Sequence, residues 1–435
     1  MPSRNFFVAN FGCRASQSEG GAIEQELLEA SAARADSPFA ADVVVVNTCT
    51  VTEEADRDAR QMIRRIAARN PAARVIVTGC YAQRAPEELA ALPQVSHVVG
   101  NSHKPLVGKL ALKVLDPEFE PAPPDGRAEI FCSDIFLENE LKPETHLGSA
   151  GRTRAVVKIQ DGCNANCSFC IIPSVRGRSR SLDPAAVFDE VSQLVARGYK
   201  EVVLSGIHLG TYGRDLDVKS SLYELVGRIL ERIPALDRLR LSSIEPLEVT
   251  PEIVNLVSTH PRMAHHLHIP LQSGSRRVLR EMRRPYQPEY YSNLVHSIRK
   301  QLPDAAIGAD VMVGFPGETD EEFTETFRLI EDAPLTYLHV FPYSARPGTP
   351  AAELDSQVPS RVAQFRAKAL RRLIARKNEQ FRQNMIGQLV DVLVLQPGDA
   401  LSTNFTRVRV PNELPVNEWT SVRITGVDGG GLTAF

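Results

Sequence analysis

Residues 155–170 read AVVKIQDGCNANCSFC, a short β-branched run followed at once by three cysteines. Ala155–Ile159 has the composition of a strand buried in a sheet. Cys163, Cys167 and Cys170 follow it in a C-x3-C-x2-C spacing, on the loop that leaves the strand. Three thiolates alone fall short of the four ligands that a structural zinc takes. The nearest upstream histidine is His146, and the next one downstream is His208. Three thiolates do suit a 4Fe–4S cubane with one iron free of protein ligands. An open iron can chelate a small molecule. The alternative reading is a zinc site completed by a distant residue.

Working outward, five more strand candidates succeed Ala155–Ile159: EVVLSG (201–206), RLRLSS (238–243), HLHIPL (266–271), AIGADVMVGF (306–315) and YLHVFPY (337–343). Helix-like stretches such as Pro184–Arg197 and Glu318–Glu331 lie between them. Six strand–helix units in a row predict a parallel barrel, complete or partial, with its site where the C-terminal strand ends meet.

The same alternation opens the chain. Phe6–Ala9, Val43–Val46, Val75–Thr78 and Val95–Val99 read as strands, and Ala22–Ala30 and Glu53–Arg69 as helices. The pattern predicts a small parallel sheet. Cys13, Cys49 and Cys80 each follow one of its strands. Strand ends of one parallel sheet converge on one edge, where such sheets bind ligands. Three thiolates meeting there make a second cluster site with a free iron; the alternative is three unrelated core cysteines. Cys132, without a partner, reads as incidental.

The expected organisation is therefore α/β: a small N-terminal parallel domain (1–115), an acidic Pro-rich linker (116–150), a central partial (βα) barrel (151–360), a basic connecting helix (361–385) and a small β-barrel (386–435). The last rests on Val390–Leu395, Thr406–Val410 and Ser421–Thr425.

Composition narrows the class. The chain has 435 residues, 43% hydrophobic and 24% charged, with a net charge of −3. These are the proportions of a soluble globular protein. No overall basicity advertises a nucleic-acid partner, so any such partner is read from local patches. The start, MPSRNFFVANFGC, is not a signal peptide, and no apolar run approaches a membrane span. The expectation is a cytoplasmic protein without a membrane partner, where clustered cysteines hold metal more often than disulfides.

These features resemble a known family, the radical S-adenosylmethionine (SAM) methylthiotransferases, over essentially the whole chain. Several stretches resemble the branch that modifies threonylcarbamoyladenosine beside the tRNA anticodon (the MtaB type): FGCRASQSEG (11–20), NTCTVTEEADRDARQMIRR (47–65), KIQDGCNANCSFCIIPSVRGRSRS (158–181), LSGIHLGTYG (204–213), HIPLQSGSRRVLREMRR (268–284), DVMVGFPGET (310–319) and FPYSARPGTPA (341–351). The C-terminal module is similar to a TRAM RNA-binding domain. Ser16 departs from the branch, which usually has Asn there.

The resemblance implies two 4Fe–4S clusters and SAM. Cys163, Cys167 and Cys170 then hold the cluster that binds and cleaves SAM, giving a radical that takes hydrogen from carbon 2 of the adenine. Cys13, Cys49 and Cys80 hold an auxiliary cluster carrying the sulfur, and a second SAM gives the methyl group. Candidate SAM contacts are Ser205, Gly206, Ser243, Glu245, Gln272 and Asp310; each also reads as a helix cap or core polar group. For tRNA the candidates are Arg176, Arg178 and Arg180, the helical series Arg57, Arg60, Arg64 and Arg65, and Arg366, Lys368, Arg371, Arg372, Arg376 and Lys377. A charged helix face is otherwise only solvated. Phe405 reads as a base-stacking platform or a core residue. Implied partners include an electron donor such as a flavodoxin or ferredoxin system, and sulfur supply machinery.

Three rivals remain at this point. Sister branches act on isopentenyladenosine in tRNA or on an aspartate of a ribosomal protein. A non-enzymatic RNA-binding iron–sulfur carrier or sensor is the rival of another class, and a zinc-stabilised RNA-binding protein is the third.

Overall fold

The computed structural model describes residues 5–116, 128–143 and 153–435. Much of the expected linker lies outside the described residues.

The N-terminal sheet has six strands in the order Ala33–Arg34, Asn5–Asn10, Val43–Thr48, Arg74–Gly79, Val95–Val99 and Glu129–Phe131, every neighbouring pair parallel. Val43–Val46 explains why. Val43 and Val45 pack under the helices Arg14–Glu29 and Val107–Val114. Val44 and Val46 pack on the other face, against Ala59 and Ile63 of Glu53–Arg69. A strand covered on both faces needs unbroken apolar residues. Each buried valine contributes roughly 1.5–3 kcal/mol.

Glu129–Phe131 corrects the expected linker. It joins the sheet edge in register with His97–Val99. A three-residue strand in acidic surroundings has too few apolar positions to show a period. Cys132 directly follows it, half-buried, with its Sγ 3.9 Å from the carbonyl of Gln83.

The central region is the expected partial barrel. Arg154–Asp161, Glu201–Gly206 and Arg238–Leu241 run parallel, as do His266–His268, Ala306–Val313 and Tyr337–Pro342. Parallel bridges Leu239–Met263 and Ser243–His268 join the two halves. Val157, Ile159, Val202, Leu204, Leu239, Leu241, Leu267, Ile307 and Val311 belong to one apolar core beneath the surrounding helices. Alternation turns the intervening residues to the concave side: Arg154, Lys158, Glu201, Ser205, Arg240, His266, His268, Asp310, Tyr337 and His339. Against this open-sided barrel lies the first helix of the chain, where Ser18 Oγ donates to the carbonyl of Val156 at 3.3 Å.

The basic helix spans Ser360–Gln383 and buries Ala367, Leu370, Leu373 and Ile374 in the barrel core. Behind it, six strands form a second sheet in the order Trp419–Arg423, Leu389–Gln396, Asp399–Ser402, Arg407–Arg409, Gly431–Thr433 and Gly426–Asp428. All its pairings are antiparallel except Arg407–Arg409 with Gly431–Thr433. Three of these strands, Asp399–Ser402, Gly426–Asp428 and Gly431–Thr433, escaped the sequence reading.

Candidate active site

Cys13, Cys49 and Cys80 follow three adjacent strands of the N-terminal sheet at their C-terminal ends. Glycine makes two of these positions possible. Gly12 (φ +113°) precedes Cys13, and a Cβ there would stand 2.9 Å from the Cβ of Cys49. Gly79 (φ +98°) precedes Cys80, and its Cβ would meet the carbonyl oxygen of Thr48 at 2.3 Å. Both conformations disfavour any side chain. Asn47 ties the loop down, donating to the carbonyl of Ser16 at 2.8 Å. Ser16, the departure from the family pattern, has its Oγ 3.7 Å from Cys13 Sγ.

The second triad follows the first barrel strand. Gln160 donates to the carbonyls of Asp161 and Gly162 at 2.9 and 2.8 Å, shaping the turn. The Cys163 amide bonds Gly177 O at 3.1 Å. Phe169 packs against the cluster of Val278, Met282 and Phe315. The two triads are neighbours: Cys80, Ile171 and Val175 form one small apolar contact group.

A buried ion network lies between them. Arg176, 1% exposed, donates from Nε to Cys80 Sγ at 3.2 Å. Its Nη1 donates to Glu19 at 2.7 Å and Asp161 at 2.9 Å. Lys158 donates to Glu19 at 3.0 Å and Asp161 at 3.2 Å, and Lys104 also pairs with Glu19. Burial opposes the charges of Arg176, Glu19 and Asp161. Arg176, Lys104 and Lys158 nonetheless hold Glu19 well below the usual carboxylate range. Asp161, Cys80 and Glu19 hold Arg176 well above its own. Arg176 thereby sets its own positive charge against the Cys80 sulfur. A similar arrangement serves the other triad, where Arg284 donates to Cys167 Sγ at 3.3 Å and pairs with Glu245.

Both triads fit an iron–sulfur cluster. Burial pushes the Cys49 and Cys170 thiols up to about 12 and raises Cys80 and Cys167. Only a metal makes such thiols thiolates at neutral pH. Thiolates on one zinc lie about 3.8 Å apart, given ~2.3 Å bonds. Among the described residues, the three ligand atoms that close within 4.8 Å of one another belong to His268, Asp310 and His339, not to either cysteine triad. In neither triad do all three sulfurs approach one another as closely as ligands of a single zinc do.

The candidate SAM contacts are of three kinds. Ser243 fits a ligand: its Oγ, with those of Ser242 and a Glu248 oxygen, is buried without a partner among the described residues. Ser205 is buried on the concave side, and Gly206 permits the close approach of Gln160, whose Oε1 would lie 2.9 Å from an added Cβ. Gln272 adopts φ +64°, a conformation few residues hold without a reason. Glu245 and Asp310 already have partners. Glu245 holds Arg284, and Asp310 accepts from His268 and His339, both at 3.1 Å.

The RNA candidates divide by burial. Arg178, Arg371 and Arg372 are exposed. Arg57, Arg64, Arg65, Lys368 and Arg376 are exposed as well. Arg176 is not, since it belongs to the ion network. Arg180 is 8% exposed and donates to the carbonyl of Arg176 at 2.8 Å. Arg366 is buried against Glu318 at 2.7 Å. Arg60 leans on Tyr81, and Lys377 donates to Glu331 O. Phe405 has the surroundings of its core alternative. It turns inward with φ +66° and sits under the barrel, its ring 4.9 Å from His266 and facing Arg14, Arg154 and Arg240 at 5.1–5.4 Å. Arginine spacing does not reveal which guanidiniums have carboxylates waiting elsewhere in the chain. Sequence reading missed Glu19, Lys158, Asp161 and Arg284; polar residues interrupting an apolar strand were the available signal for Lys158 and Asp161.

A three-cysteine loop at the mouth of a partial parallel barrel, with donors to its sulfurs, defines a radical SAM enzyme. Comparison agrees. Residues 157–330 match the radical SAM superfamily and residues 5–100 match the Uncharacterized protein family UPF0004. The chain is 41% identical over 390 residues to the threonylcarbamoyladenosine tRNA methylthiotransferase MtaB of Bacillus subtilis (strain 168), covering 89% of this chain and 84% of the relative. The protein of that name from Aquifex aeolicus (strain VF5) is 37% identical, with 92% and 94% covered. A tRNA-2-methylthio-N(6)-dimethylallyladenosine synthase of Pelotomaculum thermopropionicum is 32% identical, with 90% and 86% covered. The fold is also that of the radical SAM methyltransferase TsrM from Kitasatospora setae, with TM-score 0.59, 15% identity and 85% of each chain covered. The chain belongs to the radical SAM tRNA methylthiotransferases.

Proposed function

We propose that this enzyme adds a methylthio group to carbon 2 of the threonylcarbamoyladenosine next to the anticodon of tRNA. The observation that carries the reaction type is the pair of three-cysteine sites held side by side through Arg176 and the Cys80–Ile171 contact. The choice of nucleoside rests on the relatives, 41% identical for the threonylcarbamoyl name against 32% for the dimethylallyl one.

Cys163, Cys167 and Cys170 would hold one 4Fe–4S cluster and Cys13, Cys49 and Cys80 the other. When bound, these groups and SAM supply the electron, the radical chemistry, the sulfur and the methyl group. The chain supplies position and electrostatics. Arg176 and Arg284 donate hydrogen bonds to a ligand sulfur of each triad, which favours the reduced state. Glu19, Asp161 and Glu245 keep those guanidiniums in place. Ser242, Ser243 and Glu248 offer unpaired groups to SAM where strand Arg238–Leu241 ends. Arg178 and Arg372 are exposed for phosphates, as is Arg371, which keeps one Nη2 donor on the carbonyl of Val340 at 3.0 Å. An electron donor such as a flavodoxin or ferredoxin and a sulfur-supplying protein complete the cycle in the cytoplasm; no described helix is long and apolar enough to cross a membrane.

Mass spectrometry of nucleosides from tRNA treated with the reconstituted enzyme tests this. The 2-methylthio derivative of threonylcarbamoyladenosine is the expected product. A methylthiolated isopentenyladenosine in its place would move the enzyme to the sister branch.

A further inference from the structure

Arg14 directly follows Cys13 and begins the helix Arg14–Glu29. Its guanidinium reaches down the concave side of the barrel, 5.4 Å from the Phe405 ring centre. Arg154 and Arg240 face the same ring at 5.4 and 5.1 Å. Those two have their counter-charge. Arg154 donates to Glu201 at 2.6 Å, and Arg240 donates to both of its oxygens at 2.9 and 2.8 Å. Arg14 has no ion pair or hydrogen bond among the described residues, and its buried Nη1 lacks any acceptor.

Three guanidiniums thus meet one carboxylate. The Phe405 ring offsets part of that excess through its face, but offers no acceptor for an N–H. His266 adds no negative charge: burial and the neighbouring guanidiniums keep its imidazole neutral, with Nε2 on Tyr337 Oη at 2.7 Å. An Nη1 buried without an acceptor is costly unless a ligand completes it. Arg14 itself is only half-buried, and Cys13 beside it is exposed. Its guanidinium lies within one side chain's length of the Cys13 backbone.

We infer that Arg14 receives the carboxylate of the substrate's N6 substituent, and so sets the preference for an acidic substituent over an apolar one. This rests on the reading above. The two rival substrates differ in just this respect. A threonylcarbamoyl group ends in a carboxylate and a hydroxyl, whereas an isopentenyl group is neutral hydrocarbon and would leave Arg14 unpaired. The base presents carbon 2 toward Cys13, and the substituent extends past it onto the guanidinium. The adjacency of Arg14 to Cys13 in the chain couples recognition of the substituent to the point of sulfur insertion.

The test uses the reconstituted holoenzyme and three anticodon stem-loop RNAs, carrying threonylcarbamoyladenosine, its carboxamide analogue, or isopentenyladenosine. Binding is read by fluorescence anisotropy and product by mass spectrometry. Wild type is expected to bind the acid about tenfold or more tighter than the amide, as for a charge-assisted hydrogen bond. R14Q should lose most of that ratio at unchanged iron content, and R14K should retain much of it. A role confined to packing on Phe405 would not move the acid-to-amide ratio. Equal binding of acid and amide by wild type, or a ratio that survives in R14Q, overturns the inference while methylthiolation of the threonylcarbamoyl RNA still upholds the functional reading. If wild type instead methylthiolates the isopentenyl RNA alone, the functional reading itself has failed.

Discussion

Arg176 donates from Nε to the Sγ of Cys80 across 3.2 Å, although 96 residues separate them in the chain. The same guanidinium is gripped by Glu19 and Asp161. One residue from the loop after the second triad thus touches a sulfur of the first. A positive donor on a ligand sulfur stabilises the reduced, more negative state of a cluster. R176Q is expected to lower the reduction potential of the N-terminal cluster, and R176K to lower it less. Redox titration followed by EPR measures this; an unchanged potential in an R176Q protein of full iron content would refute the role.

Each triad is expected to hold its own cluster. Reconstituted wild type should carry about eight irons per chain, and C13A, C49A or C80A about four. In the same three variants, SAM should still perturb the EPR signal of the remaining cluster. In C163A, C167A or C170A that SAM effect should vanish. Iron and sulfide analysis with EPR distinguishes the two groups; a zinc-containing, colourless protein would sink both.

Glu201 lies 1% exposed between Arg154 and Arg240. Burial opposes its charge, but Arg240 and then Arg154 hold its pKa down to about 2, from 4.5. A carboxyl lowered in the folded state adds stability above its unfolded pKa and loses that contribution as pH falls toward the folded one. E201Q should therefore cost about 3–5 kcal/mol at pH 7, by leaving two guanidiniums short of a counter-charge. The penalty should shrink between pH 4.5 and 2. Denaturant unfolding at several pH values checks this, and a penalty independent of pH across that window would contradict it.

The exposed arginines should act through phosphate. The double substitution R371A/R372A is expected to weaken tRNA binding at low salt and to reduce the slope of log K against log salt by about 2. F405A should instead lower thermal stability while leaving the slope alone, because Phe405 packs beneath the barrel. Filter binding across a salt series, with a melting curve for each variant, separates the two effects. A reduced slope in F405A would restore Phe405 as an RNA contact.

Much of this was legible in the chain. Unbroken valines at 43–46 and the strand runs from 155 to 343 carried the parallel sheets, because burial on both faces forbids polar alternation. The cysteine spacing at 163–170, and the placement of Cys13, Cys49 and Cys80 just after strands, carried both triads. The strand Glu129–Phe131 was not legible, being too short for a period.

The sequence by itself determined the alternation of strands and helices and the placement of six cysteines just after strands, because these follow from local pattern and spacing. Only the tertiary structure decided which charges are spent inside. Arg176, Arg180 and Arg178 lie within five residues of one another, yet the first two are buried and the third is exposed. Their fates depend on carboxylates and carbonyls delivered from other parts of the fold, Glu19 above all, and the Coulomb attraction between such partners depends on distance in space.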